Sequence, residues 1–131
     1  MLQVTCAIIE NNGKILCAQR SEKMKLPLKW EFPGGKIEED ESLEACLKRE
    51  IREELGIEID ILKQLPSFKH SYSENFSIDL FPFRCIILCH EFQLAEHKQI
   101  KWLSLDKLKD LDWAEADVQI VNYITTHRNG N

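Results

Sequence analysis

The chain has 131 residues, 44% of them hydrophobic and 30% charged, with a formal net charge of −5. One domain over residues 1–131 is expected, large enough to bury a core without disulfides or a structural metal. The negative charge argues against a general nucleic-acid or anionic-membrane binder, and no apolar run reaches the ~18 residues of a membrane span. The opening MLQVTCAIIE reads as a strand and not as an export signal, so the cytoplasm is the default expectation.

In chain order, residues 4–10 and 14–20 read as two strands joined at Asn11-Asn12-Gly13, because Asn-Gly between apolar runs favours a tight hairpin. Residues 21–36 carry Pro27, Pro33, Gly34 and Gly35 and are expected to be irregular. Residues 42–55 read as a helix, with Ser42 as N-cap, Gly56 just past the end, and Leu43, Leu47, Ile51 and Leu55 as its apolar stripe. Strands are expected over 57–65, 67–75, 77–89 and 99–104, with a helical turn at 105–110. A last helix over 114–127 would turn Val118, Ile120, Val121 and Ile124 inward. Strands, helix, strands, helix is the order of an α+β fold, with a mixed sheet and helices packed on its faces. The five cysteines (Cys6, Cys17, Cys46, Cys85 and Cys89) are odd in number and form no CxxC pair, so small buried core thiols are expected.

Charge is distributed unevenly. Residues 31–60 hold 11 of the 22 acidic residues but only four basic ones. Within the expected helix, successive residues turn by about 100°, which puts Glu50, Glu53 and Glu54 within an arc of roughly 100°. Like charges at this spacing weaken a helix by a few tenths of a kcal/mol, and a purely structural helix would break the set with Lys or Arg. Clustered carboxylates suit a hard divalent cation, magnesium or manganese, which also bridges phosphates. Arg49 stands beside them, and the Pro33-Gly34-Gly35 turn lets the backbone approach the patch.

Residues 35–57, GKIEEDESLEACLKREIREELGI, resemble the Nudix box. Gly35, Glu41, Arg49-Glu50-Ile51, Glu53-Glu54 and Gly56-Ile57 fill its nine specified positions in a 23-residue frame. Trp30-Glu31-Phe32-Pro33-Gly34-Gly35-Lys36 and the hairpin end Ala18-Gln19-Arg20 are similar to the MutT-like branch. The resemblance implies a mixed β-sheet sandwiched between α-helices and a magnesium-dependent hydrolase, with manganese as a possible substitute. It implies divalent metal on Glu50, Glu53 and Glu54, completed by a carbonyl of Gly34 or Gly35 and by a late-loop acid, for which Glu96 is the candidate. Glu53 or Glu50 would be the general base, and Glu96 a further catalytic acid. Glu41 and Arg49 would support the loop–helix geometry. Arg20 and Lys36 are candidates for phosphate contacts, and His97 is expected to be a bystander.

The shortness of the chain fits the branch that converts a nucleoside triphosphate to a monophosphate and pyrophosphate. The stretch Asp112-Trp113-Ala114-Glu115-Ala116-Asp117-Val118 is similar to that of CTP pyrophosphohydrolases. Asp117 is an acceptor that suits the cytosine amino group, so CTP, dCTP or a modified dCTP is the expected substrate. The guanine edge would also satisfy it, which leaves an 8-oxo-dGTP diphosphatase as an alternative, and Asp117 could instead cap the last helix. Phe32, Phe81 and Trp113 are candidates for stacking on the base. A nucleotide-binding regulator without catalysis, and a hydrolase of ADP-ribose or dinucleoside polyphosphates, are the other readings. A monomer or homodimer is expected, with no nucleic acid and no membrane partner.

Overall fold

A computed structural model of the protein describes residues 2–89 and 91–127. Eight strands form one mixed sheet among these residues: β1 (Leu2–Asn11), β2 (Lys14–Gln19), β3 (Trp30–Glu31), β4 (Gly34–Lys36), β5 (Ile59–Gln64), β6 (Phe68–Ser73), β7 (Phe76–Ile87) and β8 (Gln99–Leu103). The helices are α1 (Leu43–Leu55) and α2 (Glu115–Thr126), with a 3-10 helix over Leu105–Asp110 before α2. The central path runs β3-β2-β1-β7-β5, with β4 on β1, β6 on β7 and β8 on β2.

β1 and β2 meet at Asn11↔Lys14 across a two-residue turn in which Asn12 and Gly13 both have positive φ, the conformation that follows strand twist in a hairpin. β1 and β7 then pair in parallel, from Leu2↔Ile78 to Glu10↔Ile86. Side chains alternate across each strand, so the sheet feeds two cores. Cys6, Ile8, Ile15, Cys17, Ile78 and Leu80 lie on one face with Ile120, Val121 and Ile124 of α2. Ala7, Ile9, Leu16, Phe83 and Cys85 lie on the other with Leu47, Ile51 and Leu55 of α1. The sheet is therefore sandwiched between the helices, and α1 has the expected ends. Ser42 Oγ accepts from the Ala45 N–H, and Gly56 at φ 69° closes the last turn on the Arg52 carbonyl.

Three expectations need correction. Residues 21–36 are not wholly irregular: β3 pairs with β2 and β4 with β1, because Trp30 and Phe32 are buried and Ala7 N–H bonds the Pro33 carbonyl across the breakers. Val118 is 42% exposed, since the inward stripe of α2 runs through Ala116, Asp117, Ile120, Val121 and Ile124 and leaves Val118 out of phase. Cys89 is half-buried and not a core thiol, because it lies past the end of β7. Among the described residues, no helix is long and apolar enough to cross a membrane.

Candidate functional site

The loop before α1 is tied to the helix by one guanidinium. Arg49 donates Nε to Glu41 Oε2 at 2.7 Å and Nη2 to Glu41 Oε1 at 3.0 Å, a two-pronged contact that fixes both partners. Nη2 also reaches the Lys36 carbonyl at 3.2 Å. Bonding from Arg49, then from the Glu38 N–H, holds the Glu41 carboxyl down at about 2. Nη1 turns toward the helix, 3.1 Å from Glu53 Oε1 and 3.5 Å from Glu50 Oε2.

Behind this clamp lies a crowd of acids. β4 runs so close beneath α1 that a β-carbon on Gly35 would overlap the Glu50 carboxylate, and one on Gly34 would overlap the Thr5 carbonyl. Gly34, which meets backbone, therefore requires glycine, and a side chain at Gly35 would displace the Glu50 carboxylate. Burial raises the Glu50 pKa against the opposing pull of Arg49. Glu54 lies deeper. Burial first, then the negative charges of Glu31 and Glu50, with Glu96 adding to them, push its carboxyl up to about 9. The Gly34 N–H, 3.3 Å from Glu54 Oε1, opposes the shift. Glu96 is exposed on a loop pinned to this place by its backbone, through Gln93 N–H to Leu55 O, Ala95 N–H to Glu54 O and Lys98 N–H to Gln19 O.

The three helix carboxylates do not meet at one point in this conformation. Among the described residues no three His, Cys, Asp or Glu side chains form a ready metal-ligand set, and Glu53, 56% exposed, lies on Arg49. The donor set nevertheless fits a hard divalent cation. Burial, then its acidic neighbours, keeps a proton on Glu54 far above the ordinary carboxylate range, and a cation at that spot would favour the ionised group. The Gly35 carbonyl already accepts from Thr5 Oγ1 at 3.2 Å, which leaves the Gly34 carbonyl as the better backbone donor.

The remaining candidates divide. Arg20 is half-buried, with Nη1 2.7 Å from Glu31 Oε1 and Nε on the Lys25 carbonyl. It lines an open cleft of about 710 Å³ between residues 20–25 and 95–98, together with Glu96 and His97. Lys36 is exposed, does not line that cleft, and enters the site through its carbonyl on Arg49. Asp117 is buried on the α2 face. Burial, then Glu31, raises its pKa well above the usual value, while Arg20 and a bond from the Phe32 N–H oppose this. It is no helix cap: the N-cap is Ala114, and Asp117 lies within the first turn of α2 and is buried.

The stacking candidates are corrected. Phe32 is 3% exposed and packs at 4.6 Å on Trp113, whose Nε1 is spent on the Leu108 carbonyl. Phe81 points to the α1 core, on the other side of the sheet. Two residues were undervalued in the sequence. Glu31 lies between the acid patch and Asp117 and adds to the shift of both. His97 is no bystander, since its ring is buried and bonds Glu31 at 2.7 Å. The alternation of buried Trp30 and Phe32 around a carboxylate was the available signal for Glu31; His97 had none beyond its place beside Glu96.

Comparison with known proteins gives a consistent result. The NUDIX domain matches residues 1–124. The chain is 37% identical to the CTP pyrophosphohydrolase of Escherichia coli over 121 residues, covering 92% of this chain and 89% of that protein. It is 32% identical to the putative 8-oxo-dGTP diphosphatase 2 of Mycobacterium tuberculosis, covering 87% and 81%. The solution structure of a protein described as the DNA mismatch repair protein MutT (family Nudix hydrolase), from methicillin-resistant Staphylococcus aureus, superposes with a TM-score of 0.75 at 44% identity, covering 96% of each chain.

The raised Glu54 carboxyl has a consequence for stability. Between the ordinary carboxylate range and about 9, the folded metal-free protein keeps a proton that the unfolded chain has released. Stability should therefore fall as pH rises through that window, and Asp117 acts in the same direction. A divalent cation binding the ionised form should raise the melting temperature more at about pH 8.5 than at about pH 6, read by thermal melts with and without the ion. A gain that shrinks with rising pH would contradict this.

Proposed function

The chain belongs to the NUDIX family, whose hydrolases use divalent metal ions, and on that premise we propose that it cleaves nucleoside triphosphates to a monophosphate and pyrophosphate, with magnesium as its working ion and manganese as a substitute. The observation that carries this reading is the burial of Glu54 in a crowd with Glu31, Glu50 and Glu96, which raises its carboxyl pKa to about 9, where a cation would favour the ionised form. When bound, the cation would neutralise charge on the transferring phosphoryl group and lower the pKa of a water beside it.

The chain's own residues have distinct tasks in this reading. Glu50, Glu53, Glu54 and the Gly34 or Gly35 carbonyl hold the ion, with Glu96 reaching the patch from its loop. Glu53 takes the proton from the attacking water. It is the least desolvated of the three helix acids and needs only to leave Arg49, whereas Glu50 is wedged on Gly35 and Glu54 is buried. Glu41 and Arg49 keep the loop and helix in register. Arg20 offers its remaining guanidinium N–H groups to the phosphates from the cleft wall, and exposed Lys36 meets the chain of phosphates from β4.

Asp117 selects the base. Burial favours its neutral form, and a neutral carboxyl offers one donor and one acceptor, which matches N3 and the N4 amino group of cytosine. An ionised Asp117 would offer acceptors only, which matches the N1–H and N2–H₂ edge of guanine. CTP, dCTP or a modified dCTP is thus the favoured substrate, in line with the activity for which the Escherichia coli relative is named. Phe32 contributes its backbone N–H to Asp117 and not a stacking face.

A panel of canonical, methylated and oxidised triphosphates, assayed for pyrophosphate release, should give the highest kcat/KM with a cytosine base. Asp117→Asn keeps a donor and an acceptor and should hold the preference. Asp117→Ala should raise KM about tenfold, the worth of one buried hydrogen bond. Oxidised dGTP as the best substrate would overturn the cytosine assignment, and tight binding without turnover would overturn the enzyme. Separately, Glu53→Gln should lower kcat by about 10²–10⁴-fold with an unchanged fold by circular dichroism. Near-normal turnover would remove Glu53 from the chemistry.

A further inference from the structure

The His97 ring is 1% exposed, and its Nδ1 is the one buried side-chain nitrogen or oxygen among the described residues without a hydrogen-bond partner. Stranding a polar atom in the interior is unfavourable, and an apolar side chain would fill the same space without it. The ring therefore needs a compensating role, and Nε2 supplies one at 2.7 Å from Glu31 Oε2. The loop does not depend on this bond for its path, because the backbone of Gln93, Ala95 and Lys98 already fastens it to Leu55, Glu54 and Gln19. What the ring adds is a hold on Glu31. With Arg20 on Oε1 and His97 on Oε2, both oxygens of that carboxylate are fixed.

We propose that His97 is a positioning residue: donating Nε2–H to Glu31, it keeps that carboxylate aimed between the Glu54 patch and Asp117. Glu31 is the first charge after burial to act on both Glu54 and Asp117, so its placement bears on the ion-binding end and the base-binding end together. With Glu31 as acceptor, Nε2 carries the proton and Nδ1 is the bare nitrogen, which fits the atom left without a partner. The kinetic consequence rests on the triphosphate hydrolysis proposed above; the hydrogen bond itself does not.

The test has two arms. In the first, nitrogen-15 spectra of the metal-free protein should show the His97 ring as the Nε2–H tautomer, and Glu31→Gln should shift its Nε2 resonance. An unmoved resonance would overturn the proposal whether or not any triphosphate is cleaved. In the second, His97→Ala should lower kcat about tenfold while KM changes less than about threefold, the size of effect seen when a supporting partner is lost. His97→Gln, which retains an N–H donor, should restore most of it. In the Glu31→Gln background, His97→Ala should cost nothing further, because both act through one contact. A lower melting temperature with wild-type kcat, or losses that multiply in the double variant, would leave His97 as a packing residue only. Wild-type protein that cleaves no triphosphate would sink the functional reading, and the spectra would still decide the role of the ring.

Discussion

The burial of Glu54 among other carboxylates is the constraint on which the site depends. Glu31 comes from β3, Glu50 and Glu54 from α1 and Glu96 from the loop before β8, so three separate stretches of chain bring four like charges to one place. Such an arrangement is unfavourable in the apo protein, and the fold resists it by two devices. Glu54 retains its proton, and Arg49 draws Glu41, Glu53 and Glu50 to one guanidinium. The glycine pair sets how close the crowd can form: without a β-carbon at Gly34 β4 can lie against the Thr5 backbone, and without one at Gly35 the Glu50 carboxylate keeps its place over the strand.

The same constraint joins the two ends of the site. Glu31 stands in β3 beside two buried aromatic residues, Trp30 and Phe32, and its charge acts on Glu54 in one direction and on Asp117 in the other. Arg20 and His97 hold its two oxygens, which ties the cleft wall and the Glu96 loop to one carboxylate. Burial beside other acids raises the Asp117 pKa as it does that of Glu54, yet the chemical use proposed for each differs. In the proposed reading one group takes a cation, and the other offers a donor and an acceptor to a base edge.

Much of this was legible in the sequence where local rules decide the outcome. The Asn12-Gly13 hairpin, the Ser42 cap, the Gly56 terminator and the stripe through Leu47, Ile51 and Leu55 follow from backbone preference and helical period, and the structure has all of them. The acidic face of α1 was readable from the same period. Side-chain direction was not: a helical wheel places Glu53 with Glu50 and Glu54, but it takes Arg49 to draw Glu53 aside. β3 and β4 were hidden because Pro33, Gly34 and Gly35 look like breakers until β1 is there to pair with them. Phe32 and Trp113 read as possible stacking faces because no sequence pattern tells that each covers the other. Glu31 and His97 lie 66 positions apart, and a contact of that separation exists only once β2 holds β3 on one edge and β8 on the other.

The central claim is that burial and acidic neighbours hold Glu54 protonated and that a divalent cation releases the proton. Carbon-13 spectra of side-chain glutamate carboxyls, followed through a pH titration with and without magnesium, measure this directly. The account predicts a Glu54 midpoint near about 9 without the ion, and a large downward move when the ion is saturating. A midpoint in the ordinary carboxylate range that magnesium leaves unchanged would contradict it.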